Sequence, residues 1–240
     1  NLKKAKERLA DLEKMAKRVD EEGSIYETDP DARLMRSNNG GGDINYNVQI
    51  AVEEKSHLVV ATDATNLPTD HHQLHGISLK AKEALQVDEL TSIADKGYYF
   101  GGEFEKCKED NIIPIVSKPK RSNAPLDNYD KNNFTYDKDK DVYICPMGHE
   151  LSKYKNRRTK NADANIRYVN KKACMDCPVK DLCSPNKYGR TVARRPIDET
   201  FDEVDERTKK NMSILKKSKS IVEHPFGTIK RSLGFTYFLT

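Results

Sequence analysis

The sequence predicts an α/β fold, a mixed sheet with flanking helices, interrupted by a cysteine-rich segment. Three observations carry that prediction. Apolar residues alternate with polar or small ones at Tyr46, Val48, Ile50 and Val52, and a short apolar run at 58–62 follows a polar turn, which is the pattern of an antiparallel hairpin. Apolar runs at 90–94 and 112–116 then alternate with helical segments, a succession that gives an α/β mixed sheet. From Ser117 to about Pro196 the apolar runs thin out, and four of the five cysteines fall there.

The elements follow in order along the chain. Leu2, Ala5, Leu9, Leu12, Ala16 and Val19 recur at spacings of three and four, so they share one stripe of an amphipathic helix. Residues 23–42 contain Asp29-Pro30 and the run Asn38-Asn39-Gly40-Gly41-Gly42, which reads as a flexible connection. After the hairpin a helix is predicted from about His72 to Leu85, with Asp70 as its N-cap. The strand at 90–94 ends at Asp95, Gly101-Gly102 opens a helix through Cys107, and 112–116 forms the next strand. A last helical stretch runs over about 199–223, and Pro225 just beyond it predicts a kink or a restart. The resulting division is a helix and linker at 1–27, a first part of the α/β domain at 28–116, a basic cysteine-rich insertion at 117–198, and a closing part at 199–240.

Composition narrows the function classes. The chain has 240 residues, 33% of them charged, no Trp and a mean hydropathy of -0.84. No window approaches the roughly 18 consecutive apolar residues of a membrane-spanning helix, and the first residues lack the apolar stretch of a secretory signal, so a cytoplasmic location without a membrane partner is expected. The formal charge of +4 conceals segregation. Residues 153–172 and 207–231 each hold eight basic residues and one acid, a net +7 apiece, which leaves -10 on the remainder. Such blocks suit a polyanion, because phosphate contacts supply most non-specific nucleic-acid affinity; a solvated lysine-rich face is the alternative.

Two carboxylates stand out. Asp95 directly follows an apolar strand, and ligands of open α/β sheets gather at the carboxyl ends of strands, where a carboxylate can hold a divalent metal; the alternative is a cap on the following turn. Glu223 is the only acid in the second basic block, a hard oxygen donor for Mg²⁺ among phosphate-attracting charges; the alternative is a surface pair with Lys219 one turn earlier.

The runs Tyr46-Asn47-Val48-Gln49-Ile50-Ala51-Val52, Ile93-Ala94-Asp95-Lys96-Gly97-Tyr98 and Val222-Glu223-His224-Pro225-Phe226-Gly227-Thr228-Ile229-Lys230 together resemble bacterial insertion-sequence transposases of the DDE type, in the branch whose catalytic domain carries a cysteine-bearing insertion. The resemblance extends from Thr28 to the end of the chain, and the last run is the most specific. It implies an RNase H-like domain in which two Asp and one Glu hold two Mg²⁺ (or Mn²⁺) ions, roughly 3.5–4 Å apart, for in-line phosphoryl displacement. Asp95 would be the second Asp and Glu223 the Glu. Lys230 matches the family's lysine after the Glu and would contact the DNA backbone. Arg231, Lys219, Lys216, Arg157 and Arg158 are further candidates for DNA contact. Double-stranded DNA, as transposon ends and target, would be the partner, strand cleavage and strand transfer the activity, a homo-oligomer the active form, and the bacterial cytoplasm with its nucleoid the location.

The chain departs from the family pattern in two places. The family's first Asp lies on a strand ahead of the hairpin, and no such strand precedes Tyr46. Asp29, Asp31 and Asp43 lie in loop-like sequence, and Asp63 falls in a later strand, so the chain is expected to begin after the first Asp. The Tyr and Arg that precede the family's Glu are replaced by Lys216 and Lys219. A catalytically inactive, co-opted DNA-binding protein is the alternative that the missing Asp favours.

The cysteines form a separate constellation. Cys145, Cys174, Cys177 and Cys183 include one Cys-x2-Cys pair, and four thiolates can close a tetrahedral, structural Zn²⁺ site; His149 is a substitute ligand and free buried thiols the alternative. Cys107 reads as helix packing. His71 and His75, one helical turn apart, read as either a chelating pair or a solvated helix start.

Overall fold

The computed structural model describes residues 2–23, 25–26, 28–36, 41–119, 129–154 and 165–234. The chain divides into two compact units, one made of Asn1–Lys118 and Val204–Thr240, the other of Pro119–Glu203.

The first unit begins with α1 (Leu2–Glu22), whose stripe residues Leu2, Leu9, Leu12 and Val19 are exposed. The segment expected to be a flexible connection instead contains β1 (Arg33–Arg36), paired antiparallel with β2 (Gly42–Asn45). Its entry is fixed by Asp29, whose carboxylate accepts from the Asp31 and Ala32 amides and from the Tyr46 hydroxyl. The predicted hairpin is β3 (Asn47–Val52) and β4 (Val59–Thr65), antiparallel with a register shift at Ala51/Val52. The helix α2 (Leu74–Leu85) packs against both strands. Beyond it, β5 (Leu90–Ala94) and β6 (Ile112–Val116) run parallel, joined through α3 (Gly101–Glu109). Antiparallel and parallel pairings are therefore both present, as separate two-stranded ladders among the described residues. Leu74, Ile77 and Ala81 of α2, Phe104 and Cys107 of α3, and Ile112, Ile115 and Val116 of β6 are buried and form much of the core.

One correction concerns the start of α2. Asp70 does not cap α2: Gln73 takes the N-cap position without a side-chain bond, and the orphan amide of His75 is satisfied from α3 by Glu103 Oε2 at 3.0 Å. Glu103 is 1% exposed, so this is a tertiary cap that no local rule foresees. His71 and His72 are exposed beside the Phe100 ring, in keeping with a solvated helix start, while the half-buried His75 has Nε2 2.6 Å from Asp110 Oδ2 and is engaged there and not in a chelating pair.

The last helical stretch is two helices. α6 (Asp198–Lys210) ends at Asn211, whose amide bonds the carbonyls of Arg207 and Thr208, and α7 (Met212–Gly227) follows. α7 runs through Pro225 without breaking, and the irregularity comes later, as a wider π-helical turn at Thr228–Ser232 closed by Leu233 N–H to Thr228 O. The expected restart at Pro225 is not seen: the helix continues to Gly227, and the change of helical type comes after it.

The second unit is a five-stranded antiparallel meander: β7 (Thr135–Asp137), β8 (Val142–Ile144), β9 (Glu150–Lys153), β10 (Ile166–Val169) and β11 (Thr191–Arg194), in the order 11-10-9-8-7. Short helices α4 (Lys171–Met175) and α5 (Lys180–Cys183) lie between its last two strands. Its core is small and aromatic: Phe134, Tyr143, Leu151, Tyr168 and Val192, with Cys145 and Cys183 packed against it. The Tyr136 and Tyr168 hydroxyls both donate to Asp141 Oδ1, which satisfies their polar ends.

Candidate functional site

Asp95 sits at the carboxyl end of β5, exposed, as the cap of a 3₁₀ turn at Lys96–Tyr98. Its Oδ1 accepts the Gly97 amide at 2.7 Å, so the turn-capping role weighed from sequence is present, and the carboxylate remains open to solvent. Beside it stands a residue that the sequence reading used only as a helix cap. Asp70 Oδ1 accepts from Asn47 Nδ2 at 2.8 Å and Gln49 Nε2 at 2.9 Å, both on β3. Gln49 is 2% exposed and takes the Tyr98 hydroxyl on its Oε1. Burial first, and then the charges of Asp70 and Asp95, push the Tyr98 phenol well above its usual range, so it stays a neutral donor. The signal for this network was in the sequence: Asn47 and Gln49 are polar residues on one face of a strand whose other residues are Val, Ile and Ala.

The two carboxylates converge at Gly97. A Cβ placed there would lie 3.0 Å from Asp95 Oδ1 and 3.1 Å from Asp70 Oδ2, so a side chain at this position would press on both carboxylates in the small cradle that glycine leaves. Two hard oxygen donors facing one open point suit a divalent cation such as Mg²⁺.

Glu223 lies on α7, which packs against β3 and β5. Leu215 and Ile221 fill the buried face of α7, while Glu223 is exposed together with Lys216 and Lys219, which precede it by seven and four residues. The α7 lysine in an ion pair is Lys217, with Glu54 at 2.9 Å, and the alternative pairing of Glu223 with Lys219 is absent among the described residues. Lys230 and Arg231 are exposed in the π-helical turn, with Lys230 Nζ 5.8 Å from the Phe226 ring centre. Arg157 and Arg158 lie outside the described residues. Asp43, expected in a loop, is instead exposed on β2, so a strand does precede the hairpin, contrary to the expectation from sequence; Asp29, Asp31 and Asp63 are each engaged elsewhere, by Tyr46, by Arg18 at 2.8 Å and by Lys80 at 2.8 Å. No group of three acid, His or Cys side chains is placed to hold a metal among the described residues, so Asp95 and Glu223 do not form a three-ligand set with any other such residue there.

The second unit gathers its thiols. Cys145, Cys174, Cys177 and Cys183 line one cavity with His149, and all four are unbridged. Cys145 Sγ accepts the His149 amide at 3.3 Å in a tight turn through Gly148. Gly189 packs so closely on Cys174 that a Cβ would fall 2.1 Å from the Cys174 Cβ. Burial pushes the Cys183 thiol up; Arg190 opposes this, and the charges of the other three cysteines add to it. The donors are brought together but are not closed to metal distance. Cys107 packs in the first unit, as expected, with its thiol pushed up to about 12 by burial.

Residues 144–240 match the family model of the transposase DDE domain. The match covers about two-fifths of the chain, and it spans the cysteine cluster as well as α7 with Glu223 and Lys230. It supports a DDE transposase, with nuclease and transferase chemistry on a DNA substrate and a general use of divalent metals such as Mg²⁺. No curated protein and no solved structure matches the chain. No described helix is long and apolar enough to cross a membrane.

Proposed function

We propose that the chain carries the catalytic domain of a bacterial insertion-sequence DDE transposase, with an RNase H-like core formed by 28–116 and 199–240 and a cysteine-rich insertion at 117–198. One observation carries this reading beyond the family match. An exposed Asp95 stands at the carboxyl end of a parallel strand beside a second carboxylate, on a ladder against which the Glu223 helix packs. Asp95 and Glu223 are the residues that would hold Mg²⁺ or Mn²⁺. Two such ions, when bound, supply electrostatic stabilisation of the attacking and leaving oxygens at a phosphodiester. The chain's own residues do the positioning: Gly97 orients the Asp95 carboxylate, while Lys216, Lys219, Lys230 and Arg231 offer phosphate contacts along α7 and the turn that follows it. Assembly as a homo-oligomer on DNA ends, within the nucleoid, belongs to the same proposal.

The test is nicking of a supercoiled plasmid by the purified chain with Mn²⁺, beside DNA affinity measured in EDTA. Asp95→Asn is expected to abolish nicking and leave affinity nearly unchanged. DNA binding without any nicking, both by this chain and by a preparation that also supplies the family's first Asp, would overturn the catalytic reading in favour of an inactive DNA-binding protein.

We also propose a structural Zn²⁺ held by the four cysteines of the second unit. A meander with so small a core gains from a crosslink, and the four donors are of the type that zinc takes. One zinc per chain by elemental analysis is expected; four freely titrating thiols in a metal-free, folded protein would exclude it.

A further inference from the structure

Asp70 is not one of the three carboxylates that the family pattern requires, yet its placement is unusually determined. It follows β4 in the turn that leads to α2, and its Oδ1 is held by two amide donors that reach it from β3, 21 and 23 residues earlier. Gln49 Nε2 also donates to Asn47 Oδ1 at 2.9 Å, and the Tyr98 hydroxyl closes the set on Gln49. The chain of bonds therefore runs from the turn after Asp95, through a buried glutamine, to Asp70. Its remaining oxygen, Oδ2, faces the Gly97 cradle opposite Asp95 Oδ1, and the two oxygens are at most about 6 Å apart. Neither carboxylate has a cationic partner among the described residues. Two adjacent like charges destabilise each other unless a cation or proton joins them. The protein nevertheless spends two side-chain amides in fixing one of these carboxylates in place, while leaving an open point between them.

We propose that Asp70 is a further residue of the divalent-cation site, holding its Oδ2 across Gly97 from Asp95 and so fixing both the negative charge and the turn that aims Asp95. The proposal rests on the reading of Asp95 as a cation ligand. It assigns to β3 a specific task, because Asn47 and Gln49 orient Asp70 as outer partners orient a ligand in metal sites. It also gives Gly97 a reason beyond backbone freedom: a methyl group there would fill the space that the cation needs.

The experiment is direct Mn²⁺ binding by the full chain, read from the electron paramagnetic resonance signal of free Mn²⁺, with DNA absent. Asp70→Asn keeps Oδ1 for its two donors and removes the charge and the second oxygen. It is expected to weaken Mn²⁺ binding by on the order of ten- to a hundredfold, with the thermal midpoint and the DNA affinity in EDTA unchanged. Asp95→Asn is expected to weaken it at least as much, and Gly97→Ala to weaken it with both carboxylates retained. If Asp95→Asn weakens binding while Asp70→Asn does not, the assignment of Asp70 fails and the reading of Asp95 stands. If neither does, both fail. Should Asp70→Asn also lower the thermal midpoint, Asp70→Glu decides: recovered Mn²⁺ affinity supports the assignment, and recovered stability without affinity overturns it.

Discussion

Gly189 shows how tightly one residue can be required. It adopts φ +87°, which L side chains rarely take, and the nearest atom to a Cβ there would be the Cys174 Cβ at 2.1 Å. Backbone strain and a clash with a short, rigid neighbour act together, so Gly189→Ala is expected to destabilise the protein by about 1–3 kcal/mol. The same substitution would displace Cys174 from the thiol cavity. Chemical denaturation measures the first effect and zinc content the second; an unchanged denaturation midpoint would mean that the Gly189 loop can move away from Cys174. Asp198 makes a different demand. Burial alone would raise its carboxyl, but the ion pair with Lys131 at 2.9 Å and the Arg195 amide and guanidinium outweigh burial and hold it below the usual carboxylate range. A lowered folded-state pKa gives stability that is present above the unfolded value of about 3.9 and is lost as pH falls through the folded value. The gap in thermal midpoint between the unsubstituted protein and Asp198→Asn should therefore be constant from pH 5 to 8 and close below about pH 4. A gap that persists undiminished at pH 2 would show that Asp198 acts through its shape and not its charge.

Among the elements, β6 illustrates how a short edge is finished. Its inner side pairs with β5, and its outer side is met by side chains of α6. Thr208 Oγ1 accepts the Val116 amide at 3.1 Å and donates to the Val116 carbonyl at 3.2 Å, while Arg207 Nη1 donates to the Pro114 carbonyl at 3.1 Å. Polar groups at the end of an edge strand satisfied in this way are not offered to another chain. Thr208→Val keeps the volume and removes both bonds of a buried hydroxyl, so a loss of about 2–4 kcal/mol in urea unfolding is expected; stability within error of the unsubstituted protein would mean that water replaces the hydroxyl there. These tertiary bonds also mark the limit of what the sequence makes legible. The strand at Leu90–Ala94 and the opening of α3 at Gly101 coincide with their sequence signals, because an apolar run bounded by turn residues and a glycine pair are local information. The capping of α2 is not legible locally because the acceptor for its orphan His75 amide is Glu103, 28 residues away, while Asp70 is occupied by residues of β3. β1 was hidden in a glycine-rich stretch because its four residues are a strand only through pairing with β2. Of the candidate site, Asp95 and its turn were legible, whereas its neighbour Asp70 required the fold to bring it near.

For the whole molecule the decisive property is where charge lies, since +4 over 240 residues is an unremarkable total. A chain that binds DNA through diffuse positive charge would lose affinity evenly whichever lysine is removed. A chain that binds through the basic block at 207–231 would respond only to cations that are exposed on that surface and free of acidic partners. Lys216 and Lys219 meet that description on α7. Lys140, outside both blocks, is paired with Glu150 at 3.0 Å and provides the contrast. Each phosphate contact contributes about 0.9 to the slope of log affinity against log salt concentration. The double substitution Lys216→Ala, Lys219→Ala should thus reduce the magnitude of that slope by about 2, and Lys140→Ala should leave it unchanged. Because counterion release counts contacts and not total charge, equal slopes for the two variants would reject α7 as the DNA-facing surface, whereas a selective loss would place the phosphate backbone along the helix that carries Glu223.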